Sequence, residues 1–209
     1  MKKLLLSLFA LSCIAASAQT FTNNGFTYRV NGTNTVELTA GDIKATTVDI
    51  PSTIVNDGKT YTVNSIGEKA FNYTKATKVT IPASVDSIKE NAFDFNDIAE
   101  LNLSEGLKYI GDYAFYGSNL TNLTIPSTVI KIDTDAFASS TSLATLTLKE
   151  GLKYINKSAF YHTAITSLTI PTSCDSIGNS AFLNCDQLKI VTLNEGLIKM
   201  GDGIFNGCI

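Results

Sequence analysis

Apolar positions along this chain recur as a phrase rather than with the period of a single helix or strand. From residue 48 onward an apolar residue is followed two later by another, then by two more spaced by three, then by Ala-Phe. Three copies carry proline after the first pair. They are Val79-Thr80-Ile81-Pro82 with Val85, Ile88 and Ala92-Phe93; Leu123-Thr124-Ile125-Pro126 with Val129, Ile132 and Ala136-Phe137; and Leu168-Thr169-Ile170-Pro171 with Cys174, Ile177 and Ala181-Phe182. Between them lie copies with Glu-Gly-Leu instead. These are Leu101-Asn102-Leu103 with Leu107, Ile110 and Ala114-Phe115; Leu146-Thr147-Leu148 with Leu152, Ile155 and Ala159-Phe160; and Val191-Thr192-Leu193 with Leu197, Met200 and Ile204-Phe205. Phe71, Phe93, Phe115, Phe137, Phe160, Phe182 and Phe205 therefore fall 22 or 23 residues apart. A period in the twenties is that of a coil built from one strand and a return segment, stacked on its neighbours as a solenoid.

Each column of the repeat then has an expected role. Ile98, Leu120, Leu143, Ile165 and Leu188 stand three before the anchor and complete a Leu-x-x-Leu-x-Leu pattern. Its last two members alternate with period two, so they point inward from a short strand while the residue between them points out. Proline at 82, 126 and 171 ends the strand, having no N–H for a ladder. The residue after the second Ile is Gly67, Lys89, Gly111, Asp133, Asn156, Gly178 or Gly201, a composition that predicts a left-handed backbone there. The Ala-Phe pair predicts a short helical or 3-10 return, with the phenylalanines as core between coils, each worth ~1.5–3 kcal/mol of burial.

The phrase Leu-x-x-Leu-x-Ile-Pro-x-x-Val-x-x-Ile-Gly-x-x-Ala-Phe resembles the BspA-like (Treponema pallidum-type) leucine-rich-repeat family of bacterial surface proteins, over about residues 48–208. The resemblance implies a leucine-rich-repeat solenoid of stacked parallel strands and a role in adhesion, members being surface or secreted proteins. Residues 19–62 are similar to that family's N-terminal region. Asn23-Asn24-Gly25, Asn31-Gly32 and Asn56-Asp57-Gly58 mark turns there, reading as a β-hairpin cap that merges into the first repeat. Residues 63–209 are the solenoid proper, with an incomplete last repeat. The asparagine column of better-known leucine-rich repeats is missing. The chain stops four residues after Phe205, where another strand is expected and solenoids usually carry a polar cap. Either the last coil is exposed and pairs weakly with a second copy, or the sequence is truncated; a monomer with a frayed end is the favoured expectation.

Residues 1–18 have the build of a secretory signal. Lys2 and Lys3 precede a short apolar run, and Ala16-Ser17-Ala18 fits the cleavage pattern. Lipidation at Cys13 is the alternative, on a poor lipobox. The apolar run is too short to span a bilayer, which takes ~20 residues, and no second such run follows, so a secreted or cell-surface protein without a transmembrane segment is expected. Three cysteines remain after residue 18. Cys174 takes the place of Val85 and Leu107 in an apolar column. Cys185 and Cys208 both stand three after the repeat phenylalanine, stacked at ~4.8 Å on adjacent coils. That spacing suits a disulfide and equally suits two thiols in an inward ladder.

Composition removes several function classes. With 16 Lys+Arg against 19 Asp+Glu the chain lacks the basic surface that nucleic acid requires. Its 44% hydrophobic content, regularly spaced, excludes disorder. A single histidine, His162, makes no zinc site, and neither a phosphate loop nor a calcium-binding repeat is present. Glu105, Glu150 and Glu195 recur in alternate coils at ~10 Å, but as part of a repeated turn rather than a glycosidase cleft. No cofactor, metal or enzymatic activity is expected. What remains is the outward face of the strands, Thr80, Asn102, Thr124, Thr147, Thr169 and Thr192, flanked by Asn122, Thr145 and Ser167. A rigid hydroxyl-rich face binds an extracellular or host protein with little ordering cost, although threonine also simply suits exposed strands. Asp86-Ser87-Ile88 and Asp175-Ser176-Ile177 resemble an O-glycosylation acceptor motif of some anaerobic bacteria, and a repeat column accounts for them equally well. A self-assembling structural protein is the second reading and a glycan-binding module the third.

Overall fold

A computed structural model describes residues 19–208; the signal-peptide reading of residues 1–18 lies outside them. The chain begins with an antiparallel meander of β1 (Thr20–Asn23), β2 (Phe26–Val30) and β3 (Thr35–Ala40). Asn24 and Gly25 join the first two with both residues at positive φ, 48° and 80°, as a two-residue primed turn requires. β4 (Thr47–Asp49) opens the first coil, and β5 (Thr53–Asn56) with β6 (Lys59–Ile66) makes a second hairpin about Asp57-Gly58. The hairpins of the cap form at the three turns that the sequence marks. The cap is joined to the coils by parallel pairing of β3 with β6 and by an internal ion cluster. Glu37, 3% exposed, accepts from Arg29 Nη2 at 2.8 Å and also from Lys89 Nζ, 52 residues later.

The later coils each contribute a longer strand and a two-residue one. In order these are β7 (Lys78–Ile81) and β8 (Ser87–Ile88), β9 (Glu100–Leu103) and β10 (Tyr109–Ile110), and β11 (Asn122–Ile125) and β12 (Lys131–Ile132). β13 (Thr145–Leu148) and β14 (Tyr154–Ile155), β15 (Ser167–Thr169) and β16 (Ser176–Ile177), and β17 (Ile190–Thr192) and β18 (Lys199–Met200) complete the series. The two-residue strands form an unbroken parallel ladder continuous with the cap. The longer strands form three separate parallel sheets, β4-β7-β9, β11-β13 and β15-β17. One strand per coil was expected; the second ladder arises because the apolar residue of the second pair is also drawn inward, as at Ile88, Ile110 and Ile132.

The Ala-Phe return differs from the helical turn the sequence predicts. Among the described residues no helix forms; overlapping β-turns take its place. In the first coil the amides of Ala70, Asn72 and Thr74 bond three residues back to Gly67, Lys69 and Phe71, while those of Lys69, Phe71 and Tyr73 reach Glu90, Ala92 and Asp94 on the next coil. Alternate amides thus close the turn and stitch the stack, which leaves none for an α-helical bond to the fourth residue back. The left-handed positions also move. None of Gly67, Lys89, Gly111, Asp133, Asn156, Gly178 or Gly201 has positive φ; Lys69, Asn91, Tyr113, Asp135, Ser158, Ser180 and Gly203, two residues later, do. Glycine in the earlier column serves close approach instead. A Cβ on Gly111 would lie 2.9 Å from the Ile88 carbonyl oxygen, and one on Gly178 would lie 2.6 Å from the Lys157 nitrogen.

Inside the coils the phenylalanines form one column. Successive rings from Phe71 to Phe205 stack with centroids 4.8 to 5.8 Å apart and planes within 16°. All but the half-buried Phe205 are fully enclosed. The alanine before each of the first six rings is buried too, where the turn touches the sheet, and Ile204 takes its place before Phe205.

Candidate functional site

Three residues beyond each phenylalanine lies a polar column: Thr74, Asn96, Ser118, Ser140 and Thr163, continued by Cys185 and Cys208. It is the internal ladder that the missing asparagines would otherwise supply. Asn96 Nδ2 donates to the Phe71 carbonyl at 2.7 Å, the Ser118 and Ser140 hydroxyls bond each other at 2.8 Å, and Thr163 Oγ1 donates to the Phe160 carbonyl at 3.1 Å. Cys185 and Cys208 are free thiols in the structure, and they do the same work. Their sulfurs donate to the Phe160 and Phe182 carbonyls at 3.3 and 3.4 Å. Burial raises the pKa of both thiols, which keeps them protonated donors. Cys174 is fully buried in its apolar column, with its thiol pushed up to about 11 by burial. The ladder is legible in the sequence as a Ser/Thr/Asn recurrence at fixed offset from phenylalanine, although only its two cysteines stand out by residue type.

The acidic column is structural in its geometry. Glu105 lies on the surface and caps the next coil, accepting from Ser127 Oγ at 2.9 Å and the Thr128 amide at 3.2 Å, with Lys149 Nζ at 3.0 Å. That lysine, then the Ser127 hydroxyl, draw its carboxyl down to about 2. Glu150 repeats the cap on Thr172 and Ser173. Both carboxylates are committed to turns. His162 is an exposed turn residue at φ 55°. No group of three metal-ligating side chains occurs among the described residues.

The outward strand residues sit where the alternation places them. Thr80 is half-buried, while Asn102, Asn122, Thr124, Thr145, Thr147, Ser167, Thr169 and Thr192 are exposed. Register brings them together in pairs: Thr80 beside Asn102, Thr124 beside Thr147, Asn122 beside Thr145, and Thr169 beside Thr192. The face is not continuous, because β9 does not pair with β11, nor β13 with β15. At the first break a cleft of about 210 Å³ opens, lined by Leu101, Asn102, Leu103, Asn122, Thr124, Pro126 and Lys149. Leu101 and Leu103 are only partly covered there, whereas their counterparts Leu123 and Ile125 are buried. Asn102, Asn122 and Thr124 therefore surround apolar side chains that the unpaired edge leaves within reach. Ser87 and Ser176, in the two glycosylation-like motifs, are half-buried in β8 and β16.

Comparison with protein families matches the BspA type leucine rich repeat region, in six copies over residues 43–133, 64–174 and 108–209. Among curated proteins none matches. Several solved structures are similar. The Treponema pallidum leucine rich repeat protein is 26% identical with a TM-score of 0.78, over 91% of this chain and 89% of its own. The pneumococcal vaccine antigen PcpA is 25% identical with a TM-score of 0.76, over 86% of this chain and 51% of its own. A leucine rich cell surface protein of Faecalibacterium prausnitzii is 26% identical with a TM-score of 0.65, over 86% of this chain and 56% of its own. The match thus spans about half the length of the last two.

Proposed function

The chain belongs to the BspA-type leucine-rich-repeat family, and from that premise we propose that it is a secreted or cell-surface, non-enzymatic recognition module that adheres to extracellular or host protein through its strand face. The observation that carries the reading is the cleft between β9 and β11. It offers a half-covered apolar floor at Leu101 and Leu103 within a rim of amides, a hydroxyl and the Lys149 ammonium. Apolar anchor sites ringed by polar groups are where interface energy concentrates. Rigid stacking of the coils means that little conformational entropy is lost on docking. The similar F. prausnitzii cell surface protein and pneumococcal antigen support the extracellular placement.

The test is a binding screen of the protein against extracellular matrix proteins and glycans, alongside a variant combining Thr124→Glu, Thr147→Glu and Thr169→Glu. Saturable binding to a matrix protein that the triple variant loses is expected. Binding that survives the triple change removes the strand face from the reading. Absence of any protein ligand removes adhesion. A second reading, self-assembly through the last coil, draws on Ile190, Val191, Leu193 and Met200, which are exposed there. Sedimentation showing concentration-dependent dimers would favour it.

A further inference from the structure

We infer that the turn edge of the coils carrying Phe71, Phe93 and Phe115 holds a second binding site, an acid-floored aromatic cup that takes a basic side chain, lysine or arginine, of a protein partner. The inference rests on the reading of the chain as a protein-recognition module, and it lies on a different surface from the strand face.

Four aromatic rings gather on this edge without help from the repeat. Tyr73 and Phe95 each stand two residues after a ladder phenylalanine, where later coils have Gly117, Ser139, His162 and Asn184. Both have positive φ, 53° and 52°, as does Tyr113 at 54°. An aromatic residue in that backbone region is uncommon, because its Cβ crowds the neighbouring carbonyl. Yet Tyr73 is 69% and Phe95 51% exposed, so burial does not repay the strain. Folding alone gives no reason for these side chains.

Their arrangement is a cup. Tyr73 lies flat on Phe95, with centroids 5.0 Å apart and planes within 8°. Tyr116 leans against Phe95 at 5.3 Å and 59°, and Tyr113 against Tyr116 at 5.8 Å and 54°. Asp135 stands beside the Tyr113 hydroxyl and raises its pKa. Between the walls is a cavity of about 360 Å³ lined by Glu90, Asn91, Asp94, Phe95, Tyr113 and Tyr116.

The floor supplies the second observation. Asp94 is only 7% exposed. Its Oδ2 takes a long bond of 3.4 Å from Asn72 Nδ2, and its Oδ1 has no partner. Burial raises its pKa. A buried carboxylate oxygen left unsatisfied is costly and rare in folded proteins. Among the described residues neither Asp94 nor Glu90 has an ion pair, and the nearby Lys89 and Lys69 are held by Glu37 and Glu68. Asp94 with its unsatisfied oxygen, and Glu90, bonded only by Asn91 Nδ2 at 3.1 Å, share the lining with the rings of Phe95, Tyr113 and Tyr116, and together they attract an ammonium or guanidinium by charge and by the ring quadrupoles. A sugar ring is a poorer occupant. It stacks on one open flat face, and here one face of Phe95 is already covered by Tyr73 while the remaining walls are inclined.

A fluorescein-labelled octalysine peptide, titrated into the protein at about 150 mM salt and followed by anisotropy, tests this. The salt screens contacts beyond about 8 Å. Variants are Asp94→Asn, which keeps the shape, and Phe95→Asn, which suits the left-handed backbone and so preserves the turn. Asp97→Asn, an exposed carboxylate outside the cup, removes the same charge as a control. Saturable binding is expected, weakened tenfold or more by Asp94→Asn and by Phe95→Asn, and less than twofold by Asp97→Asn and by the triple threonine variant. Equal weakening by Asp94→Asn and Asp97→Asn would mean diffuse charge attraction and overturn the site. So would binding indifferent to Phe95→Asn, or an oligosaccharide bound at the cup in place of the peptide. If the peptide fails while a matrix protein still binds through the threonine face, this inference falls and the proposed function stands.

Discussion

Phe137 stands in the middle of the phenylalanine column, and its replacement by alanine tests whether that column holds the coils together. The ring is fully buried and stacks on Phe115 at 5.2 Å and 8° and on Phe160 at 5.5 Å and 5°. Burying such a ring is worth ~1.5–3 kcal/mol, and each stacking contact adds ~0.5–1.5 kcal/mol beyond area. The cavity left between two rigid turns cannot collapse, so the loss should fall in the range of about 3–5 kcal/mol seen for phenylalanine truncation. Phe205, half-buried with one neighbour at 5.8 Å, should cost only about 1–2 kcal/mol by the same count. Urea unfolding followed by far-UV dichroism measures both, provided the midpoint moves while the slope stays constant. A double variant at Phe137 and Phe160 should be non-additive, because each ring is half of the other's stack, whereas Phe71 and Phe137 share no stacking partner and should add. Equal losses at Phe137 and Phe205, or a loss at Phe137 below about 1 kcal/mol, would refute the column as the source of cohesion.

Three further outcomes follow from named geometry. Alanine at Gly106 or Gly151 should destabilise by about 2 kcal/mol or more, read as a lowered unfolding midpoint. Both glycines have positive φ, 123° and 112°, and a Cβ would strike the carbonyls of Ala83 and Ser127; Gly117→Asn, at φ 70° in open space, should be close to neutral. The Glu105 carboxyl has its folded pKa drawn down to about 2, so its stabilisation is complete above the usual carboxylate value and is lost as pH falls from about 4.5 to about 2. Glu105→Gln should therefore flatten the dependence of Tm on pH in that window and leave it unchanged above. Replacing Arg29 and Lys89 together by methionine strands the buried Glu37 charge and should cost about 3–5 kcal/mol, most of it recovered when Glu37→Leu is added; a double variant as stable as the parent would show the cluster to be incidental.

The repeat dictates the solenoid. A phrase that returns every 22 or 23 residues leaves each coil only one way to hide its apolar columns, which is to stack in register on the next. That logic placed Ile98 and Leu120, the seven phenylalanines and the outward threonines correctly, because each depends on its offset within one repeat. Stacking decided the rest. Whether the Ala-Phe segment becomes a helix or a run of turns depends on where its amides point, and half of them are claimed by the neighbouring coil, as Phe71 is by Ala92. Glycine at position 111 answers to the Ile88 carbonyl of the coil before it, not to its own φ. The cleft at Leu101 and the cup at Phe95 exist because particular coils depart from the repeat, β9 by failing to pair with β11 and Phe95 by occupying a position that favours glycine or asparagine. A periodic pattern describes what all coils share. The surfaces available for recognition arise where individual coils differ and three-dimensional neighbours decide how each difference is accommodated.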